Sequence, residues 1–225
     1  MKEYYSAKLS AERLKSCYDI APPRVKQYLD AEIQYVLGYV EPHHSVLELG
    51  CGYGRVLSQL IPYSKHVVGI DTSLESLRMA KSLLRSKHNC DLFQMNAATL
   101  GLRENCFDIV VCIQNGISAF KADPHTLVKE SLRVTRPGGI CLFSSYSDRF
   151  WEDRLDWFRL QSSYGLIGKI DWEATGNGVI VCEDGFRATT FNPSRFEDLT
   201  MQMGIESRVI EVDNSSVFCV IDKRS

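Results

Sequence analysis

The stretch Val46-Leu47-Glu48-Leu49-Gly50-Cys51-Gly52-Tyr53-Gly54-Arg55 decides the fold. A short apolar run over 45–49 ends in three glycines at alternate positions, after which Val56, Leu57, Leu60 and Ile61 recur at helical spacing until Pro62. The pattern is strand, tight turn, helix. Glycines in the turn let the backbone bend sharply and let a ligand approach without meeting a Cβ. Downstream, the HVVGI run at 66–70 reads as a second strand closed by Asp71, with Ser73 as N-cap of a helix carrying Leu74, Leu77, Ala80 and Leu84. A weaker third strand covers 91–95. The continuous apolar run FDIVVCI at 107–113 is what a strand covered on both faces requires. Asp123-Pro124 starts a helix with Leu127, Val128 and Leu132 inward; Arg136-Pro137-Gly138-Gly139 breaks it, and 140–143 begins a fifth strand.

Strand–helix alternation repeated five times predicts an α/β fold, a parallel sheet sandwiched by helices in three layers. In front, Pro22-Pro23 opens a helix with Val25, Leu29, Ile33, Val36 and Val40 on one face. Behind, 148–192 breaks the alternation with an aromatic helix over 150–164 and a hairpin, 179–182 with 186–191, joined by Asp184-Gly185. A helix capped by Asn192-Pro193 and two strand-like runs, 205–212 and 216–221, follow. There is no internal repeat and no low-complexity linker, so one domain is expected over 1–225. Its parts are a helical cap over 1–42, a cofactor-binding core over 43–147, an aromatic lid insertion over 148–192, and the last helix and strand pair over 193–225.

Composition excludes several classes. A chain of 225 residues, 44% hydrophobic and 24% charged, is neither disordered nor fibrous, and a net charge of −2 argues against a general phosphate-backbone binder. No two of the eight cysteines are separated by only two residues, which lacks the ligand spacing of zinc sites. They are expected as reduced residues, several of them core filler, with no metal. No run of 18 apolar residues is present and the first 20 residues are polar, so the expectation is a cytoplasmic protein without a membrane partner.

The strongest functional signal joins the glycine loop to Asp71, 21 residues after Gly50 and at the tip of the second strand. A carboxylate there is placed to accept two hydrogen bonds from a ribose diol at the carboxyl edge of the sheet. A dinucleotide fingerprint would need glycine at position 55, where Arg55 stands, and no Gly-Lys-Ser/Thr follows. The ligand therefore has a ribose without a phosphate demand.

As a set, 46–55, Val68-Gly69-Ile70-Asp71, Asn96-Ala97, 107–111 and Arg136-Pro137-Gly138-Gly139 resemble the motifs of class I S-adenosylmethionine-dependent methyltransferases. The resemblance covers about 43–147 plus the closing helix and strand pair. It implies a Rossmann-like, seven-stranded, mostly parallel sheet whose last strand is antiparallel. It implies S-adenosyl-L-methionine as cofactor and S-adenosyl-L-homocysteine as product. The loop Gly50, Cys51, Gly52, Gly54 would pass over the methionine part, with Glu48 near its ammonium. Asp71 would hold the ribose, and Thr72 or Ser73 would border the adenine. Asn96 and Ala97 would contact the adenine, although many relatives carry Asp at the position of Asn96. Gln114 would line the methionine side. Tyr5 and Tyr18 would close the site, with aromatic packing of the cap as the alternative.

What the chain lacks demotes some acceptors. Base-amine methylation in this family uses an Asn/Asp-Pro-Pro-aromatic motif, but Gln114-Asn115-Gly116-Ile117 stands there. The Pro-Cys of cytosine carbon methylation and the metal-binding carboxylate of the catechol type are also missing, as is a long basic stripe. A small-molecule acceptor is expected, with protein or RNA as the alternative. Trp151, Trp157 and Trp172 all fall in 148–192, which suits a lid over a planar or cationic acceptor, the insertion's own core, or a homodimer contact. Asn115, Tyr146 and Trp151 are the candidate acceptor contacts; no catalytic base is identified. A partner subunit without catalysis and a nicotinamide-dependent oxidoreductase remain competing readings.

Overall fold

The structure, a computed structural model, describes Tyr4 and residues 8–224. Among the described residues, helices α1 (Ala11–Asp19) and α2 (Pro23–Leu37) precede the sheet. Then come β1 (Ser45–Leu49), α3 (Arg55–Leu60), β2 (His66–Asp71), α4 (Leu74–Leu83), β3 (Cys90–Gln94), β4 (Phe107–Cys112) and the one-turn α5 (Gly116–Ala119). These lead to α6 (Pro124–Val134), β5 (Thr135–Tyr146), α7 (Trp151–Ser163), the two-residue strands β6 (Ile180–Val181) and β7 (Arg187–Ala188), α8 (Pro193–Gln202), β8 (Arg208–Val212) and β9 (Ser216–Asp222).

The main sheet runs in the order β3-β2-β1-β4-β5-β9-β8. β1 to β5 are parallel, and β9 is antiparallel to both β5 and β8. The strand order reverses between β1 and β4, which opens a crevice at their carboxyl ends where such sheets bind ligands. One face packs Val46, Val67 and Phe218 against Ile33 and Val36 of α2, Leu57 and Leu60 of α3 and Leu77 of α4. The other packs Leu47, Val110 and Phe143 against Leu127 and Val128 of α6 and Phe196 and Leu199 of α8. Every residue of β4 is buried, as a strand covered on both faces must be. A third core joins the N-terminal helices to 148–192, with Tyr28, Phe150, Trp157, Phe158 and Phe186 buried together.

Two boundaries differ from the sequence reading. Arg136-Pro137-Gly138-Gly139 does not precede the fifth strand; it bulges inside β5, because Thr135 already pairs with Phe107 before the register shifts to Ile140 opposite Ile109. Gly138 takes φ +77°, and its N–H donates to Lys223 O, so β9 pairs the bulge. The hairpin after α7 shrinks to two residues per strand. Side chains compete for its backbone there: Thr175 Oγ1 accepts from Val181 N–H, while Thr190 Oγ1 and Arg154 both donate to Gly178 O.

Gly69, in the middle of β2, is bare because α3 and the glycine loop come down on it. A Cβ there would lie 2.5 Å from Leu57 Cδ1 and 2.9 Å from Cys51 Sγ. Gly69→Ala should therefore destabilise the protein by about 1–3 kcal/mol, through overpacking. Equilibrium urea denaturation measures this, and a wild-type midpoint would show that the loop and helix yield freely.

Candidate active site

The sheet order sets out the crevice in a line. Asp71 ends β2, Glu48 and Gly50 end β1, Gln114 follows β4 and Tyr146 ends β5, so neighbouring positions step by roughly 4.8 Å per strand. All five residues line one cleft enclosing about 1190 Å³, open mouth included. Helix α1 and α7 roof it, with Tyr18 and Trp157 on the lining.

The Asp71 carboxylate braces the loop beneath it. Its Oδ2 accepts from Gly52 N–H at 2.9 Å and its Oδ1 from Ser73 N–H at 2.8 Å. An ionised carboxylate offers about four lone-pair directions, so acceptor capacity remains for a ligand hydroxyl. Burial raises the Asp71 pKa, and the backbone N–H groups of Ser73, Gly52 and Thr72 oppose that shift. Gly50 and Gly52 both have positive φ, +73° and +52°, and the ring of Phe120 lies directly against Gly50.

Glu48 is 4% exposed, and its Oε2 has no hydrogen-bond partner. Burial pushes its pKa up to about 8; Arg55 pulls it down and Asp71 pushes it further up. A buried carboxylate left unsatisfied is expensive, and a ligand ammonium in the cleft would relieve it. The Gln114 side chain is in a similar state, since its buried Nε2 lacks a partner. Its backbone sits in the left-handed region at φ +56°, held by Glu32 Oε2 at 2.7 Å and Ser144 Oγ at 2.8 Å, both accepting from Gln114 N–H. A bare glycine turn, a carboxylate with spare lone pairs, an orphaned carboxylate and an orphaned amide fit the ribose, ammonium and carboxylate of S-adenosylmethionine.

Other sequence candidates divide. Thr72, Ser73, Asn96, Ala97 and Tyr18 line the cleft. Asn96 Oδ1 already accepts from Ala98 N–H at 2.8 Å, which turns the loop after β3. Burial raises the Tyr18 pKa to about 12, against the pull of Arg55, whose guanidinium lies 4.7 Å over the ring. The Cys51 thiol belongs to the core beneath Gly69 rather than to the cleft. Gly54, at φ +88°, is needed for close packing on Ala80 of α4 and faces no ligand space. Tyr5 lies outside the described residues.

Of the three acceptor candidates, only Tyr146 lines the cleft. Asn115 is a rivet: its Nδ2 donates to Thr189 O at 3.0 Å and its Oδ1 accepts from Ser145 Oγ at 2.7 Å. It is 4% exposed and ties the β4 tip to β5 and the loop before α8. Trp151 lines a separate polar depression with Arg154, Thr190 and Asn192. Phe158 and Phe186, aromatic residues of the 148–192 insertion, line the cleft, and so does Gln161, which sequence reasoning passed over. Helical spacing does place Trp157 and Phe158 beside Gln161, but nothing in the pattern says which face of α7 turns toward β5.

A methyltransferase-domain family model matches residues 47–143. The 2-methyl-6-phytyl-1,4-hydroquinone methyltransferase of Synechocystis is 28% identical over 150 residues, 58% of this chain and 46% of that protein. The tRNA N(3)-methylcytidine methyltransferase Mettl2 of Drosophila melanogaster is 25% identical over 178 residues, 75% of this chain and 51% of that protein. The chain thus spans about half the length of these curated relatives. The crystal structure of the PH0226 protein from Pyrococcus horikoshii superposes with a TM-score of 0.67 at 23% identity, covering 100% of both chains, which is a likeness of fold. With its β3-β2-β1-β4-β5-β9-β8 sheet, glycine loop and methyltransferase-domain match, this chain has the fold of the class I S-adenosylmethionine-dependent methyltransferases.

Proposed function

We propose that the protein transfers the methyl group of S-adenosylmethionine to a small-molecule acceptor. The observation that carries this reading is the orphaned, buried Glu48 carboxylate beside the braced Asp71 at the crevice. When bound, the cofactor supplies a methyl group already activated on a sulfonium. This chain's residues then bind and align. Asp71 holds the ribose hydroxyls with its spare lone pairs, and Thr72, Ser73, Asn96 and Ala97 border the base. Glu48 receives the ammonium, and Tyr18 and Gln114 close the methionine side. Alignment of this kind can supply roughly 7–11 kcal/mol of a transfer barrier. The relatives' names span a hydroquinone and a tRNA. The small-molecule choice rests on a cleft whose lining, among the described residues, holds no Lys, Arg or His, which gives a phosphate backbone nothing to pair with. Eight free cysteines suit a reducing compartment, and we place the protein in the cytoplasm. Among the described residues no helix is long and apolar enough to cross a membrane.

Calorimetric titration with S-adenosylmethionine and, separately, NAD tests the reading: the first binds and the second does not. Binding of NAD alone would sink it. The same titration carries a signature of Glu48. At pH 7 a carboxyl of pKa about 8 is mostly protonated in the free protein; a ligand ammonium favours its ionised form, so binding releases a proton. The observed enthalpy should therefore change with the ionisation enthalpy of the buffer at pH 7, lose that dependence well above pH 8, and lose it in Glu48→Gln.

A further inference from the structure

Resting on that reading, we infer that the acceptor is an uncharged, flat aromatic molecule carrying an oxygen that hydrogen-bonds to Gln161. The wall beyond Gln114 is one face of α7: Trp157 and Gln161 are four residues apart and Phe158 and Gln161 three, so the three side chains lie together. Phe186 and Tyr146 extend this wall, and all four rings are at most 7% exposed. Trp157 is fixed by its Nε1–H donating to Cys17 O at 2.9 Å, and Phe158 packs on Phe186 with centroids 5.5 Å apart. Trp157 stands edge-on to Phe158 and Phe186 is tilted against it, so the wall offers a guest ring both face and edge contacts.

Charge excludes the other classes. Among the described residues, the only carboxylates on the cleft lining are Glu48 and Asp71, at the tips of β1 and β2, away from α7. An ammonium acceptor would thus lack a counter-charge at the α7 end. An anionic acceptor fares no better, because the neighbouring Arg154 guanidinium lines the separate depression and donates to Gly178 O, Thr190 Oγ1 and Ala188 O. It lies 4.1 Å behind the Tyr146 ring. Gln161 supplies the polar anchor. It is 3% exposed and lines the cleft. A primary amide can meet a hydroxyl or a carbonyl equally well.

The test needs no natural substrate. Protein saturated with S-adenosylhomocysteine is titrated by calorimetry with 1-naphthol, 1-naphthoate and 1-naphthylmethylammonium. 1-Naphthol should bind at least tenfold more tightly than either ion, Gln161→Leu should weaken it about tenfold, and Gln161→Glu should move the preference to the ammonium probe. Unchanged S-adenosylhomocysteine affinity in both variants shows that the fold and cofactor end are intact. Absence of 1-naphthol binding, an ion bound as tightly, or indifference to both substitutions overturns the inference while leaving the cofactor reading in place. Failure of S-adenosylhomocysteine to bind sinks that reading instead, and the three probes then test the wall on the unloaded protein by the same criteria.

Discussion

Asp71→Ala is expected to weaken S-adenosylmethionine binding at least a hundredfold. Two hydrogen bonds from ribose hydroxyls to a charged acceptor are worth about 1.5–3 kcal/mol each, and alanine removes both. The substitution also acts on the protein itself. Gly52 N–H and Ser73 N–H lose the oxygens that receive them, so the glycine loop is no longer braced in the shape the ligand meets. Asp71→Asn separates the two effects: it keeps one carbonyl oxygen and one brace but loses the charge, and should weaken binding by about tenfold. Calorimetry with S-adenosylhomocysteine reads both variants without needing an acceptor. Equal affinity in Asp71→Ala and wild type would place the ribose elsewhere than the β2 tip.

Much of this site could be read before any coordinates, for reasons of local chemistry. Glu48, Gly50, Gly52 and Asp71 lie within 24 residues of one another, and a parallel strand–helix–strand unit leaves few ways to arrange them. The expected strands and helices from Ser45 to Val134 lie within a residue or two of the observed ones, because most helices there begin or end at a glycine, proline or capping residue and the strands are short apolar runs. Long-range features were not legible. Asn115 looked like an acceptor contact because it follows β4, yet its partners are Ser145 and Thr189, 30 and 74 residues away. Arg136-Pro137-Gly138-Gly139 looked like a strand boundary, and only the pairing of Thr135 with Phe107 ahead of it makes it a bulge. Helix α1 lies in the region expected as a helical cap over 1–42, but its own bounds were not legible because only Ala11 and Cys17 within it are buried, so its apolar signal is weak. Besides the packing of Leu14, Cys17 and Tyr18 on the third core, polar contacts hold it: Ala11 N–H donates to Ser76 Oγ at 3.0 Å on α4, and Arg13 donates to Gly165 O and Leu166 O after α7.

Glu32 shows the same limitation most sharply, and its replacement should change stability most. On sequence it is an ordinary acidic residue of α2; in the fold it is 0% exposed beneath the tips of β4, β5 and β9. Its carboxylate accepts from Gln114 N–H and from the Ser216 hydroxyl, so one side chain of the N-terminal region sets the backbone that presents Gln114 to the cleft. Burial raises its pKa to about 7, and the hydrogen bonds from Ser216, Ser144 and Gln114 only partly offset this. An acid whose pKa is raised in the folded state stabilises the fold only while it keeps its proton. Below about 4.5 both states are protonated. From there to about 7 the unfolded chain ionises and the folded one does not, so stability falls as pH rises, by roughly 3 kcal/mol in all. Glu32→Gln keeps the shape and an acceptor for Gln114 N–H while abolishing the titration. It should match wild type near pH 4.5 and exceed it by up to about 3 kcal/mol at pH 8. Glu32→Ala leaves a void and strips acceptors from Gln114 N–H and the Ser216 hydroxyl, so it should fall below wild type at pH 4.5 by about 2 kcal/mol or more. Urea denaturation of the three proteins at several pH values measures all of this. Glu48 and Asp71, whose pKa values are also raised, leave a residual slope in Glu32→Gln, which Glu48→Gln reduces. If Glu32→Gln keeps the full wild-type slope, the titrating group is not Glu32, and the link from α2 to Gln114 is a packing contact alone.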